Sequence, residues 1–365
     1  MLRTPPSLNL PRGSVLVEDV DEEIFLLYTR KQQLASTSDA STTAGSKQSG
    51  LGSHSDKEEV LTVEIEVTNP WLASSATSSI KPAKGKRGTS SSKKGKEKEA
   101  VVVEVELHQA LNDLRNRKGD TGSVLWRVSL HLATYLLRQH HFPHPSHPPL
   151  LPLLSSSSIL ELGSGTGFLG LALCSILSSS PPPTSLSPGA AAEKPSWTFT
   201  DQLANLPLIV RNLRAHGLDP SSASSGVEVE ELDWMVESSE WEKHPKSVFS
   251  LTPSADMDED EKTARPPALI VAADCIYNPS ISAPLAHTIL RRSGPETVVL
   301  VASELRDEEP LEAFLREWVD EGAPRGWRVA RVAWEDEGER EAAGEVAGGQ
   351  YVVWVGWQEQ DEQEQ

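Results

Sequence analysis

Residues 159–173, ILELGSGTGFLGLAL, constrain the fold more than any other part of the chain. Ile159, Leu160 and Leu162 suit a strand buried on both faces, where apolar residues need not alternate. Gly163, Gly165 and Gly167 follow at two-residue spacing. Glycine enters positive φ without steric cost and lets a ligand approach the main chain closely. Phe168, Leu169, Leu171, Ala172 and Leu173 then supply the wide apolar face of a helix. A glycine-rich turn between strand and helix is where open α/β sheets take nucleotide-like ligands. The pattern here is G-x-G-x-G, whereas the dinucleotide fingerprint is G-x-G-x-x-G. The turn therefore argues against a pyrophosphate seated on the helix N-terminus. Glu161, just ahead of it, suits a cationic ligand better than a phosphate.

Beyond the turn, strand and helix patterns alternate, which argues for a parallel sheet. WTFTD ends a second strand at Asp201, and NLPLIVRNLRAHGL follows as an amphipathic helix. VEVEELDW reads as a third strand ending near Trp234, PALIVAADCIY as a fourth and TVVLVASELR as a fifth. The helix PLEAFLREWVDEG comes next. The closing segments WRVARVAW and GQYVVWVGW read as strands joined by a charged, glycine-containing loop without a crossover helix, hence as an antiparallel pair.

Three strand-like pieces precede the turn, starting at Val15, Val60 and Val101. In the second, Val63, Ile65 and Val67 alternate with Glu64 and Glu66, the period of a half-exposed strand. Inserts over residues 34–58 and 73–99 are rich in Ser, Gly and Lys and read as disordered loops. The organisation predicted is a small β extension over 1–117, a main domain over 118–358 and an acidic tail over 359–365. The basic run over 81–98 is compatible with a nuclear address or a nucleic-acid contact and reads more simply as a solvated linker. HHFPHPSHPP, from His140, reads as a proline-rich loop rather than a metal site, since no cysteine lies near it.

Composition narrows the function classes. A net charge of -19 over 365 residues disfavours wholesale nucleic-acid binding, which depends on neutralising phosphates with Lys and Arg. No apolar run approaches the roughly 18 residues of a membrane span, and MLRTPPSLNLPRGS lacks the apolar segment of a secretory signal. Cys174 and Cys275 fall in apolar stretches, which fits a reducing compartment better than a disulfide framework. The expectation is a soluble cytoplasmic monomer, with the nucleus as the alternative compartment.

Ligands of open α/β sheets lie beyond the carboxyl ends of the strands, and several candidates sit there. Asp201 is placed to accept from ribose hydroxyls. Trp234 offers an aromatic face to an adenine or a cation, with simple packing as its alternative, and Asp233 is placed for an adenine amino group. Asp274 and Tyr277, in AADCIYNP, end the fourth strand. An acid leaving an apolar strand is costly unless it is hydrogen-bonded or functional, though a turn role is the other reading of Asp274. Trp126, in GDTGSVLWRVSLHLATYLL, opens a helix as either core or a lid.

Together, LELGSGTGFLGL, the Asp of TFTD, ELDW, AADCIY and GSVLWRVSLHLATYL resemble the seven-β-strand methyltransferases, and within them the lysine-specific group called family 16. The D-x-x-Y run DCIY is the mark of that group. LRNRKGDTGSVLWR and the N-terminal pieces look most like the fungal ribosomal lysine N-methyltransferase type. The resemblance implies a Rossmann-like α/β fold with a seven-stranded sheet, six strands parallel and one reversed, after the small N-terminal β extension. It implies S-adenosylmethionine held by Trp126, Gly163, Ser164, Gly165, Asp201, Trp234 and Ala273, with Glu161 facing the methionine ammonium. Asp274 and Tyr277 would serve catalysis, without a metal. The partner implied is a protein substrate, a large-subunit ribosomal protein in the narrowest version. A chaperone, an ATPase or an elongation factor is the alternative client. A small-molecule methyltransferase, a non-catalytic cofactor-binding scaffold and a nicotinamide oxidoreductase are the rival classes.

Overall fold

The computed structural model describes residues 4–38, 53–55, 58–72, 100–111, 122–178, 196–222, 224–243 and 265–359. In chain order the sheet elements are β1 (Val15–Leu16), β2 (Val60–Thr68), β3 (Ala100–His108), β4 (Ser158–Leu162), β5 (Ser196–Asp201), β6 (Val227–Glu231), β7 (Leu269–Ala273), β8 (Val298–Glu304), β9 (Trp327–Arg331) and β10 (Tyr351–Gln358). The helices are α1 (Val20–Ser38), α2 (Arg127–His141), α3 (Phe168–Ser178), α4 (Leu206–Ala215), α5 (Trp234–Lys243), α6 (Pro279–Arg292), α7 (Glu308–Gly322) and α8 (Glu337–Ala343).

One sheet has the order β1-β9-β10-β8-β7-β4-β5-β6. It is an α/β Rossmann-like arrangement, with β4 parallel to both β5 and β7, and with β6 and β8 continuing the parallel set outward. β10 runs antiparallel to β8 and to β9, so the closing strands do pair antiparallel. The sheet has eight strands rather than the seven expected. The addition is β1, whose Val15 and Leu16 pair with Arg331 and Ala330 at the β9 edge.

Both faces of the sheet are apolar, and successive residues of a strand serve opposite cores. Val271, Leu300 and Val353 join the layer built with α2, α3 and α4. Ile270, Val299 and Trp354 join the layer built with α1, α6 and α7. β2 and β3 form a separate antiparallel hairpin that buries Leu61, Val63, Ile65, Val67, Val105 and Leu107 on the first layer. Its outer face carries Glu64, Glu66, Glu104 and Glu106. The period-two reading of this segment holds.

The piece starting at Val15 is different. Only two residues are strand, and α1 occupies the rest as far as Ser38. Val20, Ile24, Leu27 and Tyr28 recur at helical spacing and are buried, while Asp21, Glu22 and Glu23 crowd the first turn, where carboxylates suit the helix dipole. The first insert therefore begins later than residue 34. Within it, Ser53 forms a bridge with Trp126, and the His54 amide donates to the Leu125 carbonyl at 2.7 Å. The remainder of that insert lies outside the described residues, as do residues 73–99 and the basic run over 81–98. Two other expectations shift: Trp234 opens α5 rather than closing β6, and the loop between β9 and β10 contains the short α8. None of the described helices is long and apolar enough to cross a membrane.

Candidate active site

β4 has β5 and then β6 on one side and β7 and then β8 on the other, so the connections leave it in opposite directions. That is the topological switch point, where a crevice opens beyond the carboxyl ends of the strands. The glycine turn fills this position. Gly163, Gly165 and Gly167 have φ of 63°, 58° and 77°, the left-handed region that glycine enters freely. The Ser164 amide donates to the Thr200 carbonyl at 2.9 Å, and the Gly165 amide to Asp201 Oδ2 at 2.7 Å. A side chain on Gly163 would put its Cβ 2.8 Å from Cys275 Sγ and 3.1 Å from the Trp234 ring. On Gly165 it would lie 3.0 Å from the Gly122 carbonyl oxygen. The turn is bare because other segments wall it in.

The cleft above the turn encloses about 840 Å³, open to solvent. Trp126, Gly163, Ser164, Gly165, Asp201, Asp233, Trp234, Ala273, Asp274 and Tyr277 all line it. One expected member does not. Glu161 is buried beneath the turn, where its Oε2 accepts from Trp197 Nε1 at 2.7 Å. Burial pushes its carboxyl up to about 8, with Asp201 adding to the rise against the hydrogen bond from Trp197. Glu161 is thus not among the residues that line the cleft; it sits beneath the turn, bonded to Trp197.

This burial has a thermodynamic consequence. As pH rises above the ordinary value of 4.5, the unfolded chain releases the Glu161 proton while the folded chain keeps it until about 8. Stability from this group is complete below the lower value and is lost across that window, at about 1.4 kcal/mol per pH unit. Glu161→Gln, which cannot titrate, should abolish that slope. Urea unfolding of both proteins at about pH 5 and about pH 7.5 measures it, and equal slopes would refute the assignment.

Asp201 is held from three sides. Gly165 N donates to Oδ2, while Gln202 N and Asn205 Nδ2 donate to Oδ1 at 2.8 and 2.9 Å. Fewer acceptor sites remain for a ribose than a free carboxylate offers. Asp233 caps α5 by accepting from the Met235 amide at 2.8 Å. Trp234 Nε1 is buried without a hydrogen-bond partner. Asp274 has φ of 61°, the one positive value outside glycine among the described residues. Its carboxylate faces the Arg306 fork, with Nη1 at 2.9 Å from Oδ1 and Nη2 at 2.6 Å from Oδ2. Burial raises the Asp274 carboxyl, and Arg306 opposes the rise. Just downstream, Asn278 caps α6 by accepting from the Ser280 amide at 3.1 Å, and Pro279 supplies a first-turn residue with no amide to satisfy.

Sequence reasoning missed Gly122 and Asn205, which line the cleft, and Arg306, which backs it. Gly122 stands in the GDTGSVLWR motif that placed Trp126, so a signal was available there. Asn205 is a helix-entry residue in sequence, and only folding turns it onto Asp201. Of the histidines of HHFPHPSHPP, His140 and His141 end α2, and His144 and His147 lie in the loop after it, 4.5 and 4.9 Å from the Trp71 ring. No group of three or more metal-ligating side chains occurs among the described residues.

A crevice at the switch point of a Rossmann-like sheet, here walled by carboxylates and indoles, is where such folds take nucleotide-like ligands. The profile of a family described as "Lysine methyltransferase" matches residues 107–248 and 246–318. The chain belongs to this lysine methyltransferase family. It is also similar to a Schizosaccharomyces pombe protein named diaminohydroxyphosphoribosylamino-pyrimidine deaminase, with 31% identity over 215 residues, 58% of this chain and 41% of that protein. The match thus spans well under half of that relative. Solved structures similar to it include Aeropyrum pernix fibrillarin in complex with natively bound S-adenosyl-L-methionine (13% identity, 56% of this chain and 68% of that one, TM-score 0.32). Another is a putative SAM-dependent methyltransferase from Streptococcus mutans (9% identity, 70% and 53%, TM-score 0.36). A third is precorrin-6y C5,15-methyltransferase from Geobacter metallireducens (11% identity, 69% and 97%, TM-score 0.34). At such identities the likeness concerns fold alone.

Proposed function

We propose that this chain is an S-adenosylmethionine-dependent protein-lysine N-methyltransferase, working as a monomer. The observation that carries the reading is the charge of the cleft. Asp201, Asp233 and Asp274 line it with Trp126 and Trp234, and no lysine, arginine or histidine is among its described lining residues. A dinucleotide would set its phosphates against Asp201 and Asp233 with no described cation lining the cleft, since Arg306 lies behind Asp274 and is engaged by it. A nucleoside bearing a sulfonium and an ammonium meets the opposite balance. The glycine turn accommodates it by close approach of bare backbone, and the buried, unpartnered Trp234 Nε1 fits a wall that a ligand completes.

In this reading Gly163, Ser164 and Gly165 receive the methionine portion, Asp201 a ribose hydroxyl, and Trp234 with Asp233 the adenine. Trp126 and Ala273 close the cofactor side, and Asp274 and Tyr277 shape the acceptor side. When bound, S-adenosylmethionine supplies an electrophilic methyl carbon on a positively charged sulfur. The acceptor must be a neutral amine, since its nitrogen lone pair forms the new bond while the old bonding pair stays with sulfur. Free lysine has a pKa near 10.4. An apolar channel lowers it and a carboxylate raises it, so Asp274 serves to orient the amine rather than to act as a strong base. Departing protons go to water. Most of the acceleration comes from alignment, worth up to about 7–11 kcal/mol in favourable cases.

The client is a basic protein, which the charge of -19 complements. A large-subunit ribosomal protein is the narrow version, and a chaperone, an ATPase or an elongation factor is the alternative. Calorimetry with S-adenosylmethionine and with NAD, followed by mass spectrometry of a lysate incubated with the enzyme and labelled cofactor, tests the proposal. Binding of the first ligand alone and a methylated lysine are expected. NAD uptake without S-adenosylmethionine uptake would end the reading, and cofactor binding without any labelled protein would favour a scaffold.

A further inference from the structure

Arg306 does not line the cleft, yet the acceptor side and the cofactor side both rest on it. It follows β8, beside the β7 end that carries Asp274. The edge of its guanidinium makes the two bonds to the Asp274 carboxylate, and Nη2 lies 3.0 Å from Glu304 Oε2. Its Cζ lies over the Trp126 ring, 5.2 Å from the centroid. A guanidinium can bond a carboxylate bidentately and also place its charge over an aromatic ring, and a lysine does not reproduce the bidentate fork. The Asp274 side chain is 1% exposed, so no solvent cation substitutes for this partner.

We propose that Arg306 is a positioning residue for methyl transfer, a single fork that fixes the Asp274 carboxylate and the Trp126 indole in register with each other. The proposal rests on the reading of Asp274 and Trp126 as acceptor-side and cofactor-side groups. Two effects follow from the geometry. Without the fork, Asp274 loses its orientation, and burial, no longer opposed, favours its protonated form. A neutral carboxyl holds an amine less well, so the defect should be deepest at low pH and shrink as pH rises.

The neighbouring ionisable groups do not reproduce this profile. Glu304 shares Arg306 and lies 4.0 Å from Arg127 on α2. Tyr351, from β10, is pushed up to about 12 by burial and by Glu304, and burial carries the Cys275 thiol well above its usual range. His131, which packs against Tyr351, is pushed down by burial. Asp274 is the group in which burial and Arg306 stand directly opposed.

The test compares wild type, Arg306→Met and Arg306→Lys, using tritiated S-adenosylmethionine and a hypomethylated lysate as acceptor, between about pH 6.5 and about pH 9. Arg306→Met should label the acceptor more than about 10-fold slower at the acid end and recover at the alkaline end only to the few-fold deficit left by the lost fork. Arg306→Lys keeps the charge but loses the fork, so it should be slower by a few-fold at every pH. An Arg306→Met defect that is constant across pH, or absent, overturns the proposal. If that variant does not fold, Arg306→Lys decides alone, and rates equal to wild type overturn the proposal. A wild-type enzyme that methylates no lysine would instead sink the underlying function, so the two failures are distinguishable.

Discussion

Asp274→Asn should reduce methyl transfer at least about 100-fold while leaving S-adenosylmethionine affinity within a few-fold. Asparagine is the informative substitution because position 274 sits at φ 61°, a conformation that Asn and Asp adopt and most residues resist. The backbone at the end of β7 is therefore preserved, as is the hydrogen bond that the Asp274 amide donates to the Ala302 carbonyl at 2.8 Å. What disappears is the charge that meets Arg306 and the acceptor amine. Asp274→Ala removes more. It leaves the partly buried Arg306 with Glu304 as its remaining carboxylate partner, at the low end of the ~3–5 kcal/mol cost of breaking a buried pair, and it adds left-handed strain of about 1–2 kcal/mol. Radiolabel transfer and calorimetry on the Asn variant, with thermal unfolding of both, separate the two losses. Full activity of Asp274→Asn would show that the acceptor site lies elsewhere.

Legibility in the sequence followed the range of the interaction. The glycine turn, the alternating β2 and the antiparallel end of the sheet are written in residues adjacent or near-adjacent in the chain, and the structure has them. α1 was misread because IFLLY concentrates apolar residues in a short run, which a strand and a buried helix share. The acidic first turn was the discriminating signal. Glu161 shows the opposite limit. Its neighbourhood in sequence placed it at the cleft, but strand alternation points it to the other side of the turn, onto Trp197 of β5. Arg306 was illegible for a different reason. Its partners Asp274 and Trp126 are 32 and 180 residues away in the chain, and no local pattern marks an arginine as the meeting point of two distant segments.

Gly163→Ala should damage both the fold and the cleft, and the cause can be resolved by comparison. Gly217 has φ 73° with nothing within 4 Å of an added Cβ, whereas Gly163 has φ 63° with Cys275 Sγ at 2.8 Å and Trp234 at 3.1 Å. Gly217→Ala pays only the left-handed backbone cost, about 1–2 kcal/mol. Gly163→Ala pays the same and must also displace a sulfur that is buried and donates to the Leu162 carbonyl at 3.3 Å. Overpacking of that kind adds about 1–3 kcal/mol. Because the other obstacle is the Trp234 ring, cofactor affinity should fall more than about 10-fold, a loss that Gly217→Ala does not share. The double variant Gly163→Ala/Cys275→Ala removes the sulfur and should recover part of the stability, giving a coupling of about 0.5–3 kcal/mol in a double-mutant cycle. Urea unfolding of the four proteins of that cycle measures the coupling. Strict additivity would mean that the turn is bare for its backbone angle alone, and not because Cys275 stands against it.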